Sequence, residues 1–283
     1  GNLTGNATGV IRDKGGQVYD VKAYGATGNG SYDDTAAIGS VITAMGAAGG
    51  IIYFPPGNYK FSTLTISNPG TILRGAGSGA TTLSTTSTGG TAVTLAGDGT
   101  GIEGFTVDVI GAAVSPQISI LASGKNVTIS DLILTDWYKG ISVTGNGAQI
   151  AGVEYATAAA GAACALEILS SYVVAERVGN GQSGTLTIAN AVTVSGSFGG
   201  GILRSFYFVL GGNSTGLLLT NASASVTGLV VENSTFYGAG TGAALSVVGG
   251  VGAAFRNVAF DSGTNAAVTW GTILGLTFDG CSF

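Results

Sequence analysis

The chain shows two regimes of hydrophobic patterning, with the change near Gly50. From Thr35 the apolar residues Ile38, Val41, Ile42 and Met45 follow the i, i+3, i+4, i+7 spacing of one helix face. This predicts an amphipathic helix over about residues 35–47. Asp33 or Asp34 stands at its N-cap position, and Gly46 and Gly49-Gly50 supply the stop. A helix apolar on only one face must lie over something.

After Gly50 the period shortens to that of strands. "IIYFPPGNYKF" predicts a strand, a Pro-Pro-Gly turn and a second strand. A motif then recurs in which an apolar residue, a small or polar turn residue and an alternating apolar strand follow one another. It appears in "GIEGFTVD", "VTISDLIL", "AQIAGVEY" and "GILRSFYF", and again in "VTGLVVEN", "AAFRNVAFD" and "TILGLTFD". The spacing averages roughly 25 residues, within the range of solenoid repeats. These features predict an all-β, parallel β-helix over residues 18–283, a single domain whose N-terminal cap is the helix. Phe105, Leu132, Val153, Phe206, Val258 and Leu276 are expected to face inward and stack coil on coil. Asp131, Ser205 and Asn257 are expected at turns, as side-chain ladders. Residues 1–17, rich in Gly, Asn and Thr, read as a neck or linker.

Composition narrows the function. Among 283 residues there are 51 Gly, 4 Pro and only 9% charged residues, with a net charge of −5. Stacked like charges at about 4.8 Å would repel, so a β-helix explains the low charge. With 10 Lys and Arg in all, nothing forms a basic stripe, which argues against nucleic-acid binding. The most membrane-like segment, Ala156–Ala175, contains Glu167 and reads as buried strands rather than a span, so no membrane insertion is expected. Cys164 and Cys281 lie far apart, without ligand or redox spacing, and read as buried small hydrophobes. The start is polar and is not a signal peptide.

"DVKAYGATGNGSYDDTAAI", "GGIIYFPPGNYKF" and "TILRGAGSGATTL" together resemble the N-terminal part of the pectate-lyase-like β-helix superfamily common in phage tailspikes. The likeness runs from Val18 to about Leu83. It implies a right-handed β-helix, often trimeric, that binds or cleaves long polysaccharides, here those of a bacterial surface, in a virion tail or extracellular setting. It does not imply a mechanism, because family sites differ from member to member.

The chain has no His, which excludes His-based hydrolysis and His-ligated metal sites. No cofactor or metal is expected. Glycoside hydrolysis needs two carboxylates, about 5 Å apart for retention or about 6.5–9.5 Å for inversion. Aligning the repeats offers Asp108 and Asp136 as the acid/base pair, with Glu154 as alternate. Trp137, Tyr138 and Lys139 beside Asp136 are the candidate substrate contacts, an exposed aromatic being a platform for a sugar ring. The competing arrangement is that these acids end strands in solvated turns and Trp137 packs under a loop. A calcium-assisted lyase built on Asp108, Asp136 and Lys139 ranks below hydrolysis. Three functions stay open: a depolymerase, a glycan-binding β-helix without catalysis, and a structural rod. The ending "GLTFDGCSF" has no capping helix, so a homo-oligomer, expected as a trimer, or a longer parent protein should cover that end.

Overall fold

The computed structural model describes residues 10–13, 16–181, 184–195, 198–220, 226–238, 241–248, 251–262, 268–270 and 275–283. It is a right-handed parallel β-solenoid of about 9 turns with one short α-helix near the N-terminus. Among the described residues a 16-stranded sheet and a 9-stranded sheet face each other. Within the segment read as a neck, Val10–Asp13 pairs antiparallel with Gly16–Asp20, which opens the larger sheet. Residues 1–9 of that segment lie outside the described residues.

The helix α1 spans Thr35–Met45 and buries Ile38, Val41 and Met45, as its period requires. It lies over the turn Val21–Tyr24 and the first-coil strands Gly50–Phe54 and Leu64–Ile66. The two aspartates before it divide their work. Asp34 stands at the N-cap without a side-chain cap bond, and Asp33 before it accepts hydrogen bonds from the backbone N–H and hydroxyl of Thr35, the first helical residue. Asp34 is fully buried and turns back to the Gly-rich loop. Its carboxylate accepts from Thr27 N–H at 2.7 Å, the Thr27 hydroxyl at 3.1 Å and Gly28 N–H at 3.1 Å.

Coil-to-coil register is continuous. One interior row runs Tyr19, Ile52, Leu73, Ile102, Ile129, Ile150, Ala175, Leu203, Val231, Phe255 and Phe278. A second carries the expected Phe105, Leu132 and Val153, then Val178; Phe206 and Val258 are buried as expected. Leu276 also faces inward as expected: it is in register with the buried Ala253, packs against the core, and is half-buried on the last strand. Toward the C-terminus the interior becomes aromatic, with Phe208, Phe236 and Phe260 stacked at about 6 Å between ring centres.

Two rows of left-handed residues turn each coil. Gly104, Asp131, Gly152, Arg177, Ser205, Asn233, Asn257 and Gly280, with φ between 50° and 73°, divide the long strands. Asn257 donates to Asn233 at 2.9 Å, a rung of the expected ladder. Gly49, Gly70, Gly99, Asn126, Gly147, Tyr172, Gly200 and Gly228, with φ between 54° and 78°, introduce the strands of the larger sheet. Alanine at such a site meets its own backbone, which is why Gly and Asn dominate both rows.

The scarce charges are also ordered. On the outer face of the larger sheet one row reads Arg74, Glu103, Ser130, Ala151, Glu176, Arg204, Glu232, Arg256, Asp279. Arg74 is ion-paired with Glu103, and Arg204 with Glu176 at 2.7 Å. Stacking therefore limits like charges in a row but accommodates alternating ones.

Asp34→Ala should cost about 2–3 kcal/mol in denaturant unfolding, because it strands two loop N–H groups in a buried site. Asp33→Ala should cost about 1 kcal/mol. The side-chain and then the backbone hydrogen bond of Thr35 hold the Asp33 carboxyl below its ordinary range. The folded state thus favours the ionised form. Its contribution is complete above the unfolded carboxylate pKa and is lost as pH falls through the lowered folded value.

Candidate functional site

The six residues singled out in the sequence fall on different faces. Asp108 points outward from the strand Gly101–Val109, half-buried, in the row Ser84, Asp108, Thr135. Its carboxylate accepts from the Thr135 hydroxyl at 2.7 Å. Its cross-strand partner is thus Thr135, not Asp136. Asp136 follows at an exposed corner with φ of 55°, its N–H bonded to the Thr157 carbonyl at 2.9 Å.

That corner aims Trp137 into the core, and this corrects the expected platform. Trp137 is fully buried and meets Tyr155 edge-on at 5.3 Å between ring centres. A ring without exposed face cannot carry a sugar. Its indole N–H and the Tyr155 hydroxyl make no hydrogen bond to the described residues. Tyr138 is half-buried, and its N–H bonds Gln117 at 2.8 Å.

Lys139 opens the strand Lys139–Val143 on the smaller sheet. Its ammonium contacts both Glu167 oxygens at 2.9 Å, and the buried Ser142 hydroxyl donates to the same carboxylate at 2.7 Å. Beside this pair lies Cys164, in register with Lys139. Burial pushes the Cys164 thiol up to about 12.

Glu154 lines a concavity. It lies outward on the strand Gln149–Tyr155, in the row Thr106, Ile133, Glu154, Gly179, Tyr207, Thr235. A cleft of about 420 Å³ runs beside that row and the corner row, lined by Asp131, Glu154, Arg177, Ser205 and Tyr207 among others. Its shape comes from the turn Gly179-Asn180-Gly181. Asn180 is fully buried and pairs with Val209 like a strand residue, accepting from its N–H at 2.8 Å and donating to its carbonyl at 2.9 Å. Gly181, with φ of 50°, keeps the space beside Glu154 open; a Cβ there would lie 3.3 Å from the carboxylate.

Asp131 and Glu154 sit on adjacent coils as diagonal neighbours, since Asp131 pairs toward Gly152 and Glu154 follows two residues later. Arg177 is ion-paired with Glu176 at 2.9 Å and projects into solvent. Tyr207 is 50% exposed between the buried Phe206 and Phe208. Asp131, Arg177, Ser205 and Tyr207 were not read as site residues. The signal for Tyr207 lay in "SFYF", where strand alternation places the tyrosine outward between two inward phenylalanines.

The profile of the family described as rhamnogalacturonase A/epimerase, pectate lyase-like, matches residues 18–283, and the chain belongs to that family. Among curated relatives, mannuronan C5-epimerase AlgE6 of Azotobacter vinelandii is 41% identical over 73 residues, covering 23% of this chain and 8% of that protein. AlgE1 of the same organism is 53% identical over 45 residues, covering 16% and 3%. The matches thus span less than a tenth of these relatives.

Similar solved structures include an exopolygalacturonase from Thermotoga maritima, with a TM-score of 0.65 and 13% identity over 92% of this chain and 75% of that one. A tailspike protein of Acinetobacter baumannii bacteriophage Fri1, titled a capsular polysaccharide depolymerase, gives 0.60 and 12% over 99% and 68%. The AlgE4 A-module of Azotobacter vinelandii gives 0.52 and 15% over 94% and 97%. At these identities the likeness is one of fold.

The burial of Cys164 predicts that native protein at pH 8 exposes one of its two thiols to a disulfide reagent, the half-buried Cys281, and both only after denaturation. Thiol counting before and after guanidinium checks this.

Proposed function

We propose that this chain is the β-helix of a tailspike-like protein that recognises bacterial surface polysaccharide in the cleft around Glu154. The observation that carries this reading is the cleft itself. Tyr207 offers an exposed ring face for a pyranose, while Asp131, Glu154, Ser205 and Arg177 offer hydrogen-bonding groups for hydroxyls. The open side of a long solenoid face suits a polymer, which can lie along successive coils. Titles of proteins sharing the fold, a capsular polysaccharide depolymerase and an exopolygalacturonase among them, support polysaccharide as the ligand class. A virion-tail or extracellular setting and a homotrimer belong to the same reading.

A second reading adds cleavage, favoured by the diagonal Asp131–Glu154 pair. With both carboxyls lining one cleft, one carboxylic acid can protonate the glycosidic oxygen. The other carboxylate takes a proton from the water that attacks the anomeric carbon, as the bond to the leaving sugar breaks. This pair takes the place of Asp108–Asp136, whose register sets Asp108 against Thr135. The non-catalytic adhesin and the structural filament subunit are the alternatives.

The test is incubation of the intact protein with purified capsular and O-chain polysaccharides, reading bound polymer and new reducing ends. Tyr207→Ala should weaken binding roughly tenfold, a loss of about 1.4 kcal/mol. Glu154→Gln should retain binding and lower any release of reducing ends by about 10²–10⁴. Binding unchanged in both variants would remove the cleft from the function. Light scattering of the same samples should give a discrete trimer; open-ended filaments would favour the structural subunit.

A further inference from the structure

The chain's own repeats mark a second place where the pattern is broken. In the corner row that introduces the larger sheet, seven of the eight left-handed residues are Gly or Asn, and the eighth is Tyr172 with φ of 61°. A bulky side chain at positive φ is strained. It is not retained for burial, because Tyr172 is 68% exposed, the most exposed large hydrophobic side chain among the described residues. Its ring lies over the next corner: a Cβ on Gly200 would come 3.5 Å from the ring edge. One edge of the ring thus lies beside the bare Gly200, and most of the ring is open to solvent.

The same strand leads from Tyr172 into a recess. Val174, two residues on, lines a hollow of about 280 Å³ together with Ser130, Gln149, Ala151, Glu176 and Arg204. The hollow exists because Ser130 and Ala151 interrupt the row of charged residues at two successive coils. Its wall is a fixed ion pair, with Arg204 Nε donating to Glu176 at 2.7 Å and Arg177 donating to the other Glu176 oxygen at 2.9 Å. The two charged residues that line the hollow, Glu176 and Arg204, are opposite in sign, and Arg177 lies outside it at the corner. A wall that presents donors and acceptors without net charge suits hydroxyl groups rather than an anion.

We infer that Tyr172 and the Glu176–Arg204 recess form a second carbohydrate site, separate from the cleft and selective for a neutral hexopyranose of a polysaccharide. The Tyr172 ring takes the C–H face of a sugar at the corner, and Gln149 and the Glu176–Arg204 pair hydrogen-bond hydroxyls of the chain as it enters the recess. The volume admits a single ring, so this is a holding site on a long polymer rather than a place of reaction. It lies before the Arg177 corner, whereas the Glu154 cleft follows it.

The strain makes the test two-sided. Full-length protein is titrated with malto-, cello-, manno- and galactohexaose, with hexagalacturonate as the anionic comparison, by saturation-transfer NMR and calorimetry. Tyr172→Gly, which installs the residue common to the other corners, should raise Tm while weakening binding of a neutral hexaose at least tenfold. Tyr172→Phe should stay within twofold of the parent. Tyr207→Ala, in the cleft, should leave this binding in place, so failure here is distinguishable from failure of the cleft. The site is overturned if no neutral hexaose binds, if Tyr172→Gly binds like the parent, if binding follows Tyr207 alone, or if only hexagalacturonate depends on Tyr172.

Discussion

The register between neighbouring coils is the constraint on which the rest of this molecule depends. Each coil is hydrogen-bonded to the next at about 4.8 Å, so every residue is held against one particular residue above and below. The interior row from Tyr19 through Ile129 and Leu203 to Phe278 sets that alignment, because a slip of one residue would turn its apolar side chains outward. Once the row is fixed, the left-handed corners, the alternating charges and both recesses of the larger sheet have no freedom of position. A change in coil length is absorbed in the loops between strands. The Gly179-Asn180-Gly181 turn shows how this is done, with a buried Asn side chain standing in for backbone against Val209.

Register also explains how so few charges are used. A stack of identical coils would place like charges at strand spacing, and the low charged fraction follows from that. The outer row from Glu176 to Asp279 shows the other solution, in which sign alternates from coil to coil. Exposed ion pairs of this kind contribute about 0–1 kcal/mol each. They also favour alignment, since a slip of one residue would take each charge out of register with its partner.

Much of this fold was legible because its signals are local and repeated. The helix period, the Asp-Asp entry, the turn residues Asp131, Ser205 and Asn257, and most of the inward stack were read directly. The errors share one cause, which is that the repeats were aligned by resemblance rather than by hydrogen bonding. "GFTVD" and "LILTD" suggest that Asp108 and Asp136 are equivalent, yet Asp108 pairs with Thr135 and Asp136 lies one residue later, in the corner. Trp137, next to the left-handed Asp136, lies in the core, which is the packed arrangement weighed against the exposed platform.

Departures from the repeat carry more functional information than the repeat itself. A solenoid stabilises every coil by the same few devices, so a coil that abandons one without structural gain stands out against its neighbours. Glu154 stands beside a glycine turn that leaves it room, Ser130 and Ala151 hollow a row that elsewhere carries long charged side chains, and Tyr172 occupies a corner held elsewhere by Gly or Asn. Each weakens packing, pairing or backbone comfort at one coil only. The three lie on neighbouring coils of one sheet, on either side of the Arg177 corner. A polymer lying across that face would meet an aromatic ring and fixed hydrogen-bonding groups at both recesses, which is the geometry that a chain of linked sugars requires and a compact ligand does not.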